Sequence, residues 1–131
     1  MTPGRPLPPT PVGGHNEGMS EGLIPIVVPP GELQDDTLVA FEQAVEPLLA
    51  EGGPGLIVDL ADVAFLSSTG LGYLVRIGMT LDRGQRRLAL ARGSRRLVRL
   101  LRVTGLGPLL PHFASFDEAR AFITGTRAAH S

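Results

Sequence analysis

The chain contains no cysteine, no tryptophan and no lysine among its 131 residues. Without cysteine there is no disulfide framework, no thiolate nucleophile and no thiolate ligand for a metal. Histidine is sparse as well. His15, His112 and His130 stand at no ligand-like spacing from one another or from an acid, so no metal site is expected. The patterns GxxxxGK[ST], GxGxxG and GxSxG are missing, and with them the usual phosphate loop, dinucleotide turn and nucleophile elbow. We therefore expect no catalytic residue, no cofactor and no enzymatic activity. Long apolar runs are lacking too. No window approaches the roughly 18 residues of a membrane span, and "MTPGRPLPPTPVGGHNEGMSEG" has no apolar core of a secretory leader. No membrane insertion and a cytoplasmic location are the corresponding expectations.

The absence of lysine, with abundant Gly, Pro and Ala, reads as a GC-rich coding bias. It leaves all positive charge to arginine, and that charge is unevenly placed. Residues 1–75 carry ten acids and one Arg, a net of -9, whereas residues 76–131 carry eleven Arg and three acids, a net of +8. Such polarity either steers partners or cancels when the halves fold together. Arg92, Arg95, Arg96, Arg99 and Arg102 repeat at helical spacing, the pattern of a solvated amphipathic face. With a pI near 6.3 and no interleaved aromatics, direct nucleic-acid binding is not expected.

What is present is a 43% apolar chain, enough for one core. Residues 1–20 are Pro- and Gly-rich and read as a disordered tail. Residues 21–127 read as the folded domain, and 128–131 as a C-terminal tail. "LIPIVVPPGEL" suggests a strand, with Pro25 and Pro29 marking an edge or an end. "DDTLVAFEQAVEPLLAEGG" has Leu38, Phe41, Val45, Leu48 and Leu49 at helical spacing. Asp35 or Asp36 is the cap candidate, Gly52 and Gly53 are the stop, and Pro47 should kink or shorten the helix. "GLIVDL" is a short apolar run bounded by turn residues, hence a buried strand. A helix after Thr69 would turn Leu71, Leu74, Val75 and Met79 to one face and end at Gly84. "RRLALAR" is a further strand. "SRRLVRLLRVTG" is a helix capped by Ser94, and "LGPLLPHF" supplies the last strand. "SFDEARAFITGT" opens with a capping box of Ser115 and Glu118. The resulting β-α alternation predicts an α/β fold, a mostly parallel (mixed) sheet of four to five strands covered by about four helices. Val58, Leu60, Leu74, Leu88, Leu90 and Leu101 should be inaccessible.

Ser67, Ser68 and Thr69, followed by Gly70 and Gly72, sit where a strand hands over to a helix. A hydroxyl there can cap the helix by accepting an orphan N–H. The same place would tolerate a phosphate, which meets free N–H groups and the positive end of the helix dipole. Gly70 and Gly72 keep bulk low and leave room for a kinase or partner. Spacing leaves both readings open.

The ordered set "LIVDL", "ADVAFLSSTGLGYLV" and "RRLALARGSRRLVRLLRVTGLGPLLPHFASFDEA" resembles the STAS domain of bacterial anti-sigma factor antagonists, and "GELQDDTLVAFEQAV" is similar to that family's first turn and helix. The resemblance spans residues 24–123. It implies a non-catalytic protein that binds an anti-sigma factor, itself a GHKL-type serine kinase, and thereby releases a sigma factor. Phosphorylation of the antagonist then ends the contact. By position the acceptor is Ser68, with Ser67 where an Asp is usual. Gly31, Glu32, Leu33 and Gln34 match the second partner loop, Gln34 replacing an acid. Ser67, Ser68, Thr69, Gly70, Leu71 and Gly72 complete the expected partner surface. The alternatives are a STAS accessory subunit of a membrane lipid ABC transporter, bound to its ATPase, and a signalling scaffold that is not phosphorylated.

Overall fold

The computed structural model describes residues 24–125. The expected tails, 1–20 and 128–131, lie outside the described residues, as do the outermost residues of the expected domain.

Near-continuous apolar runs build the sheet. β1 (Ile26–Val27), β3 (Gly55–Asp59), β5 (Arg87–Ala91) and β6 (His112–Phe113) pair in that order, every pair parallel. All of β3 is buried, as is β5 after Arg87, the signature of strands covered on both faces. Two further strands of two residues each, β2 (Glu32–Leu33) and β4 (Phe65–Leu66), pair in parallel as a separate ribbon. The alternation did not reveal them. So short a strand carries no periodicity.

Four helices cover the sheet: α1 (Asp35–Ala50), α2 (Ser68–Arg83), α3 (Arg95–Val103) and α4 (Phe116–Thr124). Register sorts the side chains by face. Val27, Val58 and Leu90 are aligned and join Leu56 and Leu88 in the main core, under Phe41 and Val45 of α1, Leu74, Ile77 and Leu81 of α2, and Leu97 and Leu101 of α3. Ile57, Ala89 and Ala91 point to the other face and meet Ala119 and Ile123 of α4. The six expected core residues are all buried, none more than 4% exposed.

Several local expectations need correction. α1 is capped at Gln34, not at Asp35 or Asp36, which fall in its first turn. The Gln34 N–H donates to Thr37 Oγ1 (3.1 Å), closing that end. Pro47 does not shorten α1, because it lies close enough to the C-terminus that little helix remains to be broken. That end holds no basic residue of its own. Arg86 closes it from outside, its guanidinium donating to the carbonyls of Leu48, Leu49 and Gly53 at 3.2, 2.8 and 3.0 Å. In α2 the buried stripe is Gly70, Tyr73, Leu74, Ile77 and Leu81; Leu71 and Val75 flank it, and Met79 is exposed. Tyr73 displaces the expected stripe, its ring packed edge-on against Phe41 with centroids 5.8 Å apart. Its hydroxyl donates to the Glu46 carboxylate at 2.7 Å.

Candidate functional site

The β2–β4 ribbon is small, but it decides where the site is. Glu32 aligns with Phe65 and Leu33 with Leu66. The Gly31 carbonyl accepts from the N–H groups of Ala64 (2.7 Å) and Phe65 (3.2 Å), and the Leu33 carbonyl accepts from Ser67 N–H (3.0 Å). The loop 31–34 is thereby fastened to the start of α2. The contact continues into the helix, since a Cβ on Gly70 would sit 2.5 Å from the Leu33 carbonyl oxygen. Only glycine permits that approach. Thus Gly31, Glu32, Leu33 and Gln34 lie beside Ser67, Ser68, Thr69, Gly70, Leu71 and Gly72. Leu33 and Gly70 form the buried seam; Glu32, Ser68, Thr69 and Gly72 are exposed.

The three hydroxyls are not equivalent. Ser67 is the N-cap of α2, its Oγ accepting from Gly70 N–H at 3.0 Å. Ser68 is therefore not the cap but the first residue of the helix. Its hydroxyl is exposed and makes no hydrogen bond to any described residue, and Thr69 beside it is exposed too. The backbone N–H groups of Ser68 and Thr69 likewise have no acceptor among the described residues. They are the orphan donors that every helix start leaves. No acidic residue occupies this first turn. An anion on Ser68 would meet free donors and the positive helix end without displacing the cap.

The two neutral replacements, Ser67 and Gln34, are both N-cap residues, of α2 and α1 respectively. Ser and Asp cap about equally well, so Ser67 keeps the local geometry while removing a charge. Gln is not among the favoured caps, and Thr37 compensates through its bond from Gln34 N–H. The Gln34 amide in turn donates to the Glu32 carboxylate at 3.1 Å, tying the exposed rim of the loop together.

Phe65 was not among the expected site residues. It is 48% exposed, aligned with Glu32 on β4, and adds an aromatic side chain to this surface. No sequence pattern marked it, because a two-residue strand carries no periodicity. Two open grooves lie elsewhere. One, of about 260 Å³, runs between α1 and α2 along Glu46, Leu49, Tyr73 and Arg76; another, of about 350 Å³, lies by Met79, Arg83, Leu109 and Phe122. Neither of these two grooves is lined by residues 31–34 or 67–72.

Other polar groups prove structural. Asp59, at the end of β3, accepts from Ala61 N–H at 3.0 Å and from Arg92 at 3.2 and 2.8 Å. Burial works to raise its pKa, yet the hydrogen bonds from Arg92 and Ala61 outweigh it and hold the carboxyl below its ordinary value. This is the one ion pair between the acidic and basic halves among the described residues. Among the described residues, the two halves thus meet through one ion pair and not a network. His112 Nε2 accepts from Gly93 N–H at 3.0 Å, and burial lowers the imidazole pKa. No group of three or more His, Cys, Asp or Glu that could hold a metal occurs among the described residues, and none of their helices is long and apolar enough to cross a membrane.

Comparison with known proteins agrees with this architecture. A family model described as "Mlab, STAS domain" matches residues 27–111. The chain is 35% identical over 80 residues to an anti-sigma-B factor antagonist of Staphylococcus epidermidis, covering 61% of this chain and 74% of that protein. It is 32% identical over the same length to the anti-sigma-B factor antagonist of Staphylococcus aureus, with the same coverage. Its fold is similar to the solved structure of an anti-sigma-factor antagonist (STAS) domain protein from Planctomyces limnophilus. That match has a TM-score of 0.70 at 21% identity and covers 79% of this chain and 93% of the other.

Proposed function

The chain belongs to the STAS domain family, and from that premise we propose that it acts as an anti-sigma factor antagonist. In this reading it is a regulatory binding protein rather than an enzyme. Its unphosphorylated form binds an anti-sigma factor of the GHKL serine-kinase type through the face made by residues 31–34 and 67–72, and a sigma factor is released. The kinase then transfers a phosphoryl group from ATP to Ser68 Oγ, the hydroxyl proton is lost, and ADP departs. The new group brings about two negative charges into an interface formed around a neutral hydroxyl, and the complex separates.

The observation that carries this reading is the division of labour between adjacent serines. Ser67 holds the helix, so Ser68 is left exposed at the helix start, with no hydrogen bond to any described residue. A phosphate there changes the surface without costing the fold its cap. The test is incubation with a kinase of this type encoded in the same genome, followed by intact-mass analysis. One added phosphate, mapped to Ser68 and lost in Ser68→Ala, is expected. No added phosphate with any co-encoded kinase defeats the switch.

The neutral residues Ser67 and Gln34 favour a second reading, a constitutive module on a transporter ATPase or a signalling scaffold. It predicts that Ser68→Asp binds its partner as the wild type does.

A further inference from the structure

α3 holds its charge at a cost to itself. Arg95, Arg96, Arg99 and Arg102 are exposed, and none has an ion-pair partner among the described residues. Arg95–Arg99, Arg96–Arg99 and Arg99–Arg102 are like-charged neighbours one turn apart, which disfavours the helix. Arg95 and Arg96 also lie in the first turn, at the positive end of the dipole, with no acid beside them. Only Arg102, in the last turn, is placed where the helix dipole favours a cation. At the end of the same helix Val103 is 72% exposed.

α1 is the opposite case. It contains no basic residue; Asp35 and Asp36 lie one turn before Val39 and Glu42 one turn after it. Val39 is 57% exposed, and Val39 and Val103 are the two most exposed large apolar side chains among the described residues. Each helix thus presents one bare valine set in charge of a single sign, and the signs are opposite. The sheet order and the contact of α1 with α2 put α2 between α1 and α3 on one face of the sheet. A two-fold axis along α2 would therefore lay each α1 on the partner's α3 and close the contact as a pair. Gly72, whose missing Cβ would face open space, leaves room along that axis.

We propose that the chain self-associates in this way, the Arg95–Val103 face of one copy docking on the Asp35–Gln43 face of another. The contact is electrostatic around a small apolar centre, so it is weak, reversible and sensitive to salt.

Sedimentation velocity across a dilution series of the full chain tests it. Self-association to dimers is expected at about 50 mM salt, weakening by about tenfold at about 500 mM, where the Debye length is far shorter. Arg95→Glu with Arg99→Glu should abolish it. That variant should fold at least as well as the wild type, because it removes the like-charge neighbours and sets a carboxylate at the positive helix end. Asp36→Arg with Gln43→Arg should abolish it from the other side. Mixing the two variants should restore a heterodimer, since the swapped charges again oppose one another. Far-UV circular dichroism checks that each variant is folded. A wild type that stays monomeric at low salt overturns the proposal and leaves the α3 face to an anionic partner of another kind. So does association that the swaps leave unchanged, or a mixture that stays monomeric.

Discussion

Replacing Ser67 by alanine should weaken the fold, whereas replacing Ser68 should not. Ser67 Oγ accepts the Gly70 N–H at 3.0 Å, and Gly70 is buried against the Leu33 carbonyl. Removing the hydroxyl leaves that N–H without its partner in a place water reaches poorly. Loss of a serine cap costs about 0.5 to 2 kcal/mol, and an unsatisfied buried donor costs about 1 to 3 kcal/mol. The ranges overlap at about 1 to 2 kcal/mol. With a urea dependence of about 2 kcal/mol per molar, the middle of the range for small domains, the midpoint should fall by roughly 0.5 to 1 M. Ser68→Ala removes an exposed hydroxyl that bonds to no described residue, and its change should stay within about 0.5 kcal/mol. Ser67→Asp keeps an acceptor at the cap, adds favourable charge at the helix start, and should match or exceed the wild type. The assay is equilibrium urea unfolding followed by circular dichroism. A Ser68→Ala midpoint that falls as far as that of Ser67→Ala would refute the assignment of the cap, and with it the separation of structure from regulation.

Three further outcomes follow from the packing. Leu74, fully buried in the main core, should cost about 2 to 5 kcal/mol when cut to alanine, and an unchanged unfolding midpoint would contradict its placement. Gly70→Ala should destabilise the domain, because its Cβ would collide with the Leu33 carbonyl. Gly72→Ala should stabilise it by about 0.5 to 1 kcal/mol, since nothing stands within 4 Å of that Cβ and alanine is the better helix former; reversed signs in thermal unfolding would undo the account of this helix. His112 holds the Gly93 N–H as a neutral acceptor, and its pKa is lowered in the fold. The unfolded chain therefore takes up the proton first. The stability His112 contributes is present above its ordinary pKa and is lost as the pH falls from about 7 toward 5. Unfolding midpoints should fall over that range in the wild type more than in His112→Gln; parallel curves would show that His112 does not titrate against the fold.

The larger elements were legible because burial wrote them into the pattern. β3 reads "GLIVD" between turn residues, and Ser94 and Ser115 cap α3 and α4 as their positions suggested. What the pattern did not carry was set by backbone contacts distant in sequence. Gly31 and Leu33 offer carbonyls to residues 64, 65 and 67, and no side-chain period announces such a pairing. That same contact decides which of three adjacent hydroxyls becomes the cap, a choice spacing left open. The spacing of Leu71, Leu74 and Val75 points to Met79 as part of the apolar face, yet Tyr73 is only 4% exposed and turns the buried stripe away from Met79. Asp59 and Arg92 are 33 positions apart and meet only because β3 and β5 are neighbours.

On the proposed function, this chain frees a sigma factor by occupying its anti-sigma factor, and charge at Ser68 ends this. A complex of the co-encoded anti-sigma kinase with its sigma factor, titrated with the unphosphorylated chain on an analytical gel-filtration column, tests it directly. The account predicts that free sigma factor elutes as the wild type or Ser68→Ala is added, and that Ser68→Asp releases markedly less. A complex that stays intact with all three proteins, or that Ser68→Asp dissociates as readily as the wild type, would contradict it.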